Sequence, residues 1–318
     1  MTYHYFEVAS RELGIACRLV GDVLQFEDKQ LTRRIWGLWV DLDSMGTARI
    51  AGDKSLCSGL LRERGMPVPS FTAFIVDEAT LQSMPLPNAP RWLVVKPARG
   101  TSSGRGITLR LAVNDAWGRM WAIVKAGLWS DMIHVEEFVE GDSFRFLVCK
   151  GQVLSVVHRG ASLLGDGTST VSQLVSRENR ARRELIDQAP RGARPVKDLL
   201  TVVPHNLSYQ GLHRRSIPGA GQRVPAFGAY HCPATPDSDT DVTAIAHEDL
   251  VQLAIDAASA VGINLCGVDM ICKDITRDRV AGGAVINEVN TSPALWDHHD
   301  IPNAQNVCLA VLKAMFDR

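Results

Sequence analysis

Apolar and polar positions alternate along the chain with two periods, and these mark out its elements. TYHYFEVASRELG reads as an opening helix, followed by short apolar segments as far as DLDSMGTARIAGDK. SLCSGLLRERGMPVPSF has the spacing of an amphipathic helix closed by Gly65 and Pro67, since glycine accepts the left-handed turn and proline cannot continue the ladder. Next come a strand, RWLVVKP, a loop of small residues, a second strand, GITLRL, and a helix from Asn114 to about Gly127. MIHVEEFV reads as a strand, and FRFLVCKGQVLSVVHR as two strands joined by a hairpin turn at Lys150, Gly151 and Gln152. GDGTST initiates a helix around VSQLVSRENRARREL. Leu250, Leu253, Ala254, Ala257, Ala258 and Val261 recur at helical spacing and form one apolar face. CGVDMICKDI and GGAVINEVN read as strands around a turn at Thr276 to Arg279, and AQNVCLAVLKAMF as the last helix. Residues 200–240 lack periodicity and are rich in Pro, Gly and His, which predicts long connections lining a substrate cleft. The mixture predicts an α+β fold.

With 318 residues, 46% of them hydrophobic, and a net charge of −1, the chain can bury a large core divided into two or three compact units. Near-neutral charge argues against a nucleic-acid partner. No apolar run reaches the roughly 18 to 20 residues of a membrane span, and the first residues lack the pattern of a signal peptide. The expectation is therefore a cytoplasmic protein without a membrane partner. Seven scattered cysteines, with no CxxC pair, suit reduced buried thiols. The stretch from Arg177 to Lys197 reads as a solvated helix face, with an electropositive lip for an acidic substrate as the functional alternative. His298, His299 and Asp300, like His231 beside Cys232, fit no zinc spacing. WDHHDIP is expected to be a substrate-facing loop.

Chemistry concentrates in two distant patterns. Lys96 ends an apolar strand and leads into Gly100 to Gly106, where six of seven residues are Gly, Ser or Thr around Arg105. Small residues let backbone N–H groups approach phosphate oxygens, so a phosphate cover explains this composition better than a plain hairpin. Neither a Walker A loop nor a GxGxxG pattern occurs. Far downstream, strand alternation puts Glu288 and Asn290 on one face, and in-register pairing would add Asp269. Three hard oxygen ligands suit Mg²⁺ shared with phosphates, because a buried carboxylate without a cation is costly. Glu136 and Glu137, before Phe138 and Val139, either end an edge strand or form a hinge that meets an adenine edge, a Glu accepting from the amine. Arg145 and Arg159 lie on the two arms of the hairpin. They are either surface charges or the groups that neutralise a transferring phosphoryl group or an acyl phosphate.

These runs, in the order DLDSMGTARIAGDKSLCSGLLRERGMPVP, VVKPARGTSSGRGIT, VEEFVEGDSFRFLV, GDGTSTVSQLV, GVDMIC and INEVNTSPAL, resemble the ATP-grasp superfamily. Among its branches they are most similar to the grasp domain of cyanophycin synthetase, with wider similarity to ribosomal S6 glutamate ligase-like and D-alanine–D-alanine ligase-like enzymes. The resemblance implies two α+β subdomains gripping ATP. Residues 1–50 would be a reduced N-terminal segment, 51–135 the lid, and 136–318 the subdomain carrying magnesium and substrate. It implies that Lys54 and Lys96 contact ATP phosphates, that Thr101, Ser102, Ser103 and Gly104 close over them, and that Glu136, Glu137, Phe138 and Val139 hold adenine. Asp269, Glu288 and Asn290 would hold Mg²⁺, two ions in number, with Mn²⁺ as a substitute, and Arg145 and Arg159 would stabilise an acyl phosphate. Ser143 stands where a ribose-contacting Asp is common, so Asp142 or Ser143 takes that contact. YHCPATPDS, at 230–238, replaces a stretch that shapes the substrate site in the family. The chain ends without a Mur-ligase-like domain, which predicts against alternating polymer synthesis. The implied activity is ADP-forming synthesis of an amide or peptide bond from a carboxylate and an amine, through an acyl phosphate, on a small amino-acid-like substrate. The short N-terminal segment, which would leave apolar surface to be covered, predicts a homodimer. The alternatives are a ligase acting on a peptide or protein, or a non-catalytic nucleotide-binding scaffold.

Overall fold

The computed structural model describes residues 3–88, 91–101, 104–159, 163–188, 207, 211–224, 239–299 and 305–318. Helix α1 (Tyr3–Leu13) turns Phe6 and Ala9 inward and leads into an antiparallel meander, β1 (Ala16–Val20), β2 (Val23–Asp28), β3 (Leu31–Trp36) and β4 (Trp39–Val40). The short apolar segments of the sequence are thus a sheet. Helices α2 (Met45–Ala51) and α3 (Lys54–Glu63) follow, α3 ending near Gly65 at φ +70°.

A second antiparallel sheet is built from β5 (Phe71–Ile75), β6 (Trp92–Pro97), β7 (Thr108–Ala112) and β8 (Met132–Glu137), with α4 (Glu78–Gln82) and α5 (Ala116–Gly127) between them and the strand order β5-β8-β6-β7. Leu93, Val95, Ile133 and Val135 form one core with Ala122, Ile123 and Ala126 of α5. The alternate positions Val94, Lys96, His134 and Glu136 therefore face away from that helix. Strand β8 runs through the expected subdomain boundary at 135/136 and stays paired with β6 as far as Glu137.

The third sheet carries most of the chemistry. Its strands come from β9 (Asp142–Cys149), β10 (Gln152–Arg159), β13 (Asp239–Asp241), β14 (Leu265–Cys272) and β15 (Val285–Thr291), in the antiparallel order β13-β10-β9-β14-β15. Between them lie the pair β11 (Leu163–Leu164) and β12 (Arg223–Val224) and the helices α6 (Val171–Gln188) and α7 (Glu248–Val261). Helices α8 (Trp296–His299) and α9 (Val307–Met315) close the chain.

Both faces of this sheet are covered. Phe144, Phe146, Val148, Val268 and Met270 share a core with Leu250, Leu253, Ala254 and Ala257 of α7 and with Leu61 of α3. On the other face Leu147, Cys149 and Leu265 meet Leu24, Phe26 and Ile35 of the meander and Val311, Leu312 and Met315 of α9. At about 1.5–3 kcal/mol for each large side chain buried, the N-terminal segment is held firmly to the sheet. Among the described residues no helix is long and apolar enough to cross a membrane. Most of the 200–240 segment, with His231 and Cys232, lies outside the described residues, as do Ser102, Ser103 and Asp300.

Candidate active site

Between the second and third sheets lies a cleft of about 500 Å³, lined by residues from both. From the second sheet, Lys96 reaches Glu136 on the neighbouring strand, Nζ to Oε1 at 2.7 Å, with both side chains buried. The other oxygen of Glu136 is 3.0 Å from His134 Nε2, and His134 Nδ1 is 3.2 Å from Ser55 Oγ. Burial pushes the His134 pKa down, so the ring is neutral; Nε2 donates to the carboxylate and Nδ1 accepts from the Ser55 hydroxyl. Phe71 stacks on the same imidazole at 4.8 Å. Lys96 Nζ also donates to Asn287 Oδ1 of β15 at 3.5 Å, so this buried network links the two sheets.

Lys54 enters from the start of α3. Asp53 caps that helix, Oδ1 accepting from Ser55 N and Leu56 N, and Lys54 N donates to Ala98 O at 2.8 Å. A cation in the first turn opposes the helix dipole. It is held instead by Glu288, 3.0 Å away. Burial disfavours the Glu288 carboxylate, but Lys54, Lys96 and Arg145 outweigh it and hold its pKa down to about 2.

The register brings the expected oxygen donors together: Asp269 pairs with Glu288, and Gly267 with Asn290. A β-bulge follows, since Met270 pairs with Ile286, and it leaves Asn287 as the extra residue. Asn287 and Glu288 consequently both line the cleft. Across β14 and β9, Arg145 lies opposite Asp269 and donates two hydrogen bonds to its carboxylate, both at 2.6 Å. Asn290 Nδ2 donates to the same carboxylate at 2.9 Å. Gly267 makes room for the guanidinium: a Cβ there would lie 3.1 Å from Arg145 Cδ.

The WDHHDIP segment departs from expectation. Its first four residues form α8, with Trp296, Asp297 and His298 buried, rather than an open loop. Asp297 Oδ2 lies 3.5 Å from Arg159 and 3.8 Å from Arg145. His298 Nδ1 is 2.9 Å from Ser155 Oγ, and burial with two nearby arginines keeps the ring neutral. The sequence marked this segment as substrate-facing but gave Asp297 and His298 no partners, since those depend on the packing of β10 against α8.

Thr101 and Gly104 line the cleft, Gly104 at φ +70°. Gly106 ends the loop at φ +76° with Pro97 and Trp129 so close that a Cβ would clash. Glu137, Phe138 and Val139 line the cleft, and both carboxylates have partners within the protein: Glu136 has Lys96, and Glu137 Oε1 accepts from Ser70 N at 2.9 Å. Asp142 and Ser143 are placed differently. On β9 Asp142 alternates with Ser143 and Arg145, so Ser143 faces the cleft while Asp142 turns to the opposite face, 3.8 Å from His158 and 3.6 Å from Arg223.

Two α+β sheets facing each other across a cleft of paired cations and carboxylates, with a small-residue loop at its rim, make this the ATP-grasp fold. The chain belongs to the ATP-grasp superfamily. Its relatives include the glutathione biosynthesis bifunctional protein GshAB of Streptococcus mutans, 31% identical over 250 residues that cover 77% of this chain and 32% of that protein. Cyanophycin synthetase of a Nostoc species is 30% identical over 298 residues, 89% of this chain and 31% of that protein. The crystal structure of a bifunctional glutathione synthetase from Pasteurella multocida superposes with a TM-score of 0.61 at 23% identity, covering 98% of this chain and 43% of that one. The chain thus spans about a third of the length of these curated relatives. No family model matches it.

Proposed function

We propose that the cleft joins a small carboxylic acid to an amine in an ATP-dependent, ADP-forming ligation, as the curated relatives' names suggest for their own products. One observation carries the reading: Asp269, Glu288 and Asn290 share one surface of β14 and β15 with Arg145 of β9 beside them, and Lys54 and Lys96 reach the same cleft from α3 and β6.

The chemistry needs positioning and charge neutralisation rather than a nucleophilic side chain. A carboxylate oxygen of the acid attacks the γ-phosphorus of ATP, the bond to the bridging oxygen breaks and ADP departs. The amine nitrogen then attacks the acyl carbon, phosphate leaves with its oxygen, and the surplus proton passes to phosphate or solvent. Lys54 and Lys96 are assigned to the ATP phosphates. Arg145 and Arg159 are assigned to the charge on the transferring group and on the acyl phosphate. Thr101 and Gly104 belong to the loop over the phosphates, and the backbone of Glu137 to Val139 is the edge offered to adenine.

ATP-grasp ligases generally use ATP and Mg²⁺. The donor set fits that ion: two carboxylates and an amide, one carboxylate held ionised by its cations, and a nearby Cys57 thiol that burial and Glu288 push up to about 12, leaving no thiolate to compete. Asp269, Glu288 and Asn290 would hold the metal, whose chemistry is to neutralise phosphate oxygens. Two ions, a cytoplasmic location and a homodimer complete the proposal; the exposed row Trp117, Trp121, Val124 and Leu128 on and just after α5 is the surface for the last. Purified protein should release ADP only when the right acid and amine are both present. Conversion of ATP to AMP and pyrophosphate would refute the acyl-phosphate route.

A further inference from the structure

Three carboxylates of the cleft hold a cation in direct contact: Glu136 at 2.7 Å, Asp269 at 2.6 Å and Glu288 at 3.0 Å. Asp297 differs. One of its oxygens is 3.5 Å from Arg159 and 3.8 Å from Arg145, the other has no hydrogen-bond partner among the described residues, and the side chain is only 3% exposed. An ionised oxygen buried without a donor is costly, and such groups are normally satisfied by something. The adjoining His298 cannot supply that charge, because it is neutral and its Nδ1 is bonded to Ser155. Asp297 lines the same cleft as the two arginines, beside an apolar wall of Pro293, Ala294 and Trp296.

Building on the ligase reading above, we propose that Asp297 receives the ammonium group of the acid substrate, so that the acid activated here is an α-amino acid with a free amino group. An α-amino acid carries its carboxylate and ammonium on one carbon. The cleft offers the matching partners side by side, Arg145 and Arg159 for the carboxylate and Asp297 for the ammonium. A simple carboxylic acid, or one whose nitrogen is acylated as in a peptide C-terminus, brings no cation and leaves the carboxylate oxygen unpaired as water is excluded. A site built around a buried polar group rejects ligands that fail to satisfy it.

Hydroxylamine serves as the nucleophile in the test, because it replaces the unidentified amine: its nitrogen displaces phosphate from the acyl phosphate and leaves a hydroxamate. Wild-type protein is given MgATP, hydroxylamine and a panel of free α-amino acids, each beside its N-acetyl and 2-hydroxy counterparts. ADP release and hydroxamate are both measured. The expected result is a preference for the free amino acid on the order of 100-fold in kcat/KM. In Asp297→Asn that preference falls towards one, mainly through KM, with Asp297→Glu restoring part of it. N-acetyl or 2-hydroxy acids that serve as well as amino acids in the wild type overturn the inference and leave the ligase reading standing. An equal loss for both acid classes in Asp297→Asn also overturns it, since Asp297 would then only orient the arginines. No ADP release with any acid overturns the ligase reading and the inference with it. The wild-type comparison stands even if both variants fail to fold.

Discussion

Gly267 contributes to the cleft by having no side chain. A Cβ would sit 3.1 Å from Arg145 Cδ and 3.2 Å from its Nε, so the guanidinium would shift by a few tenths of an ångström from Asp269. Gly267→Ala should lower kcat by about tenfold with little change in melting temperature, as steady-state kinetics beside a thermal melt would show. Glu288→Gln removes one charge from the proposed metal site and should reduce turnover by at least roughly 100-fold; a scaffold protein would instead keep its partner binding in a pull-down. Lys96→Met strands the buried Glu136 carboxylate. It should cost about 3–5 kcal/mol in chemical denaturation. Of these residues, Lys96 and Glu288 stood out in the sequence because a charge interrupts or ends an apolar run. Gly267 did not, since a glycine in a strand reads the same whether it clears space or merely weakens the strand.

At the scale of the element, alternation decides which residues share a surface. It put Glu288 and Asn290 together, and it also separates Ser143 from Asp142, which the resemblance alone left as equals. The bulge at Asn287 was not legible, because it depends on pairing with β14. Helix α7 offers a pH test. Asp249, in its first turn, accepts from the side chain and backbone of Arg279, which hold its pKa down to about 2. A depressed folded-state pKa means that the stabilisation is complete above the unfolded value near 4 and fades as pH falls towards 2. Asp249→Asn should therefore melt earlier than wild type at pH 7, and the gap should close between about pH 4 and pH 2. A constant gap across that range would show that the ion pair is not its source.

For the whole molecule, the cleft is assembled from two sheets that touch through Lys96 and Asn287, and from the start of α3, where Lys54 meets Glu288. A ligand bound to both halves stabilises the folded state by mass action. MgATP at about 100 times its Kd should contribute about 2.7 kcal/mol, a rise of several degrees in melting temperature by differential scanning fluorimetry. Chelating the metal with EDTA should remove most of that rise if Asp269 and Glu288 hold it. An unchanged shift in EDTA would place nucleotide binding elsewhere than on these carboxylates.

The sequence by itself determined the α+β class, most element positions and membership of the ATP-grasp superfamily, because hydrophobic period, turn residues and motif order are local properties of the chain. It also separated the charged residues worth following from the rest. Only the tertiary structure decided that a helix and a four-stranded meander within the first fifty residues share a core with the C-terminal helix, and that His134 and Ser55 extend the Lys96 network. The same holds for Asp297, which reaches the two arginines from a short helix more than a hundred residues away. These are contacts between distant segments. They follow from strand order and from a bulge, and neither leaves a mark on the composition or periodicity of the segments concerned.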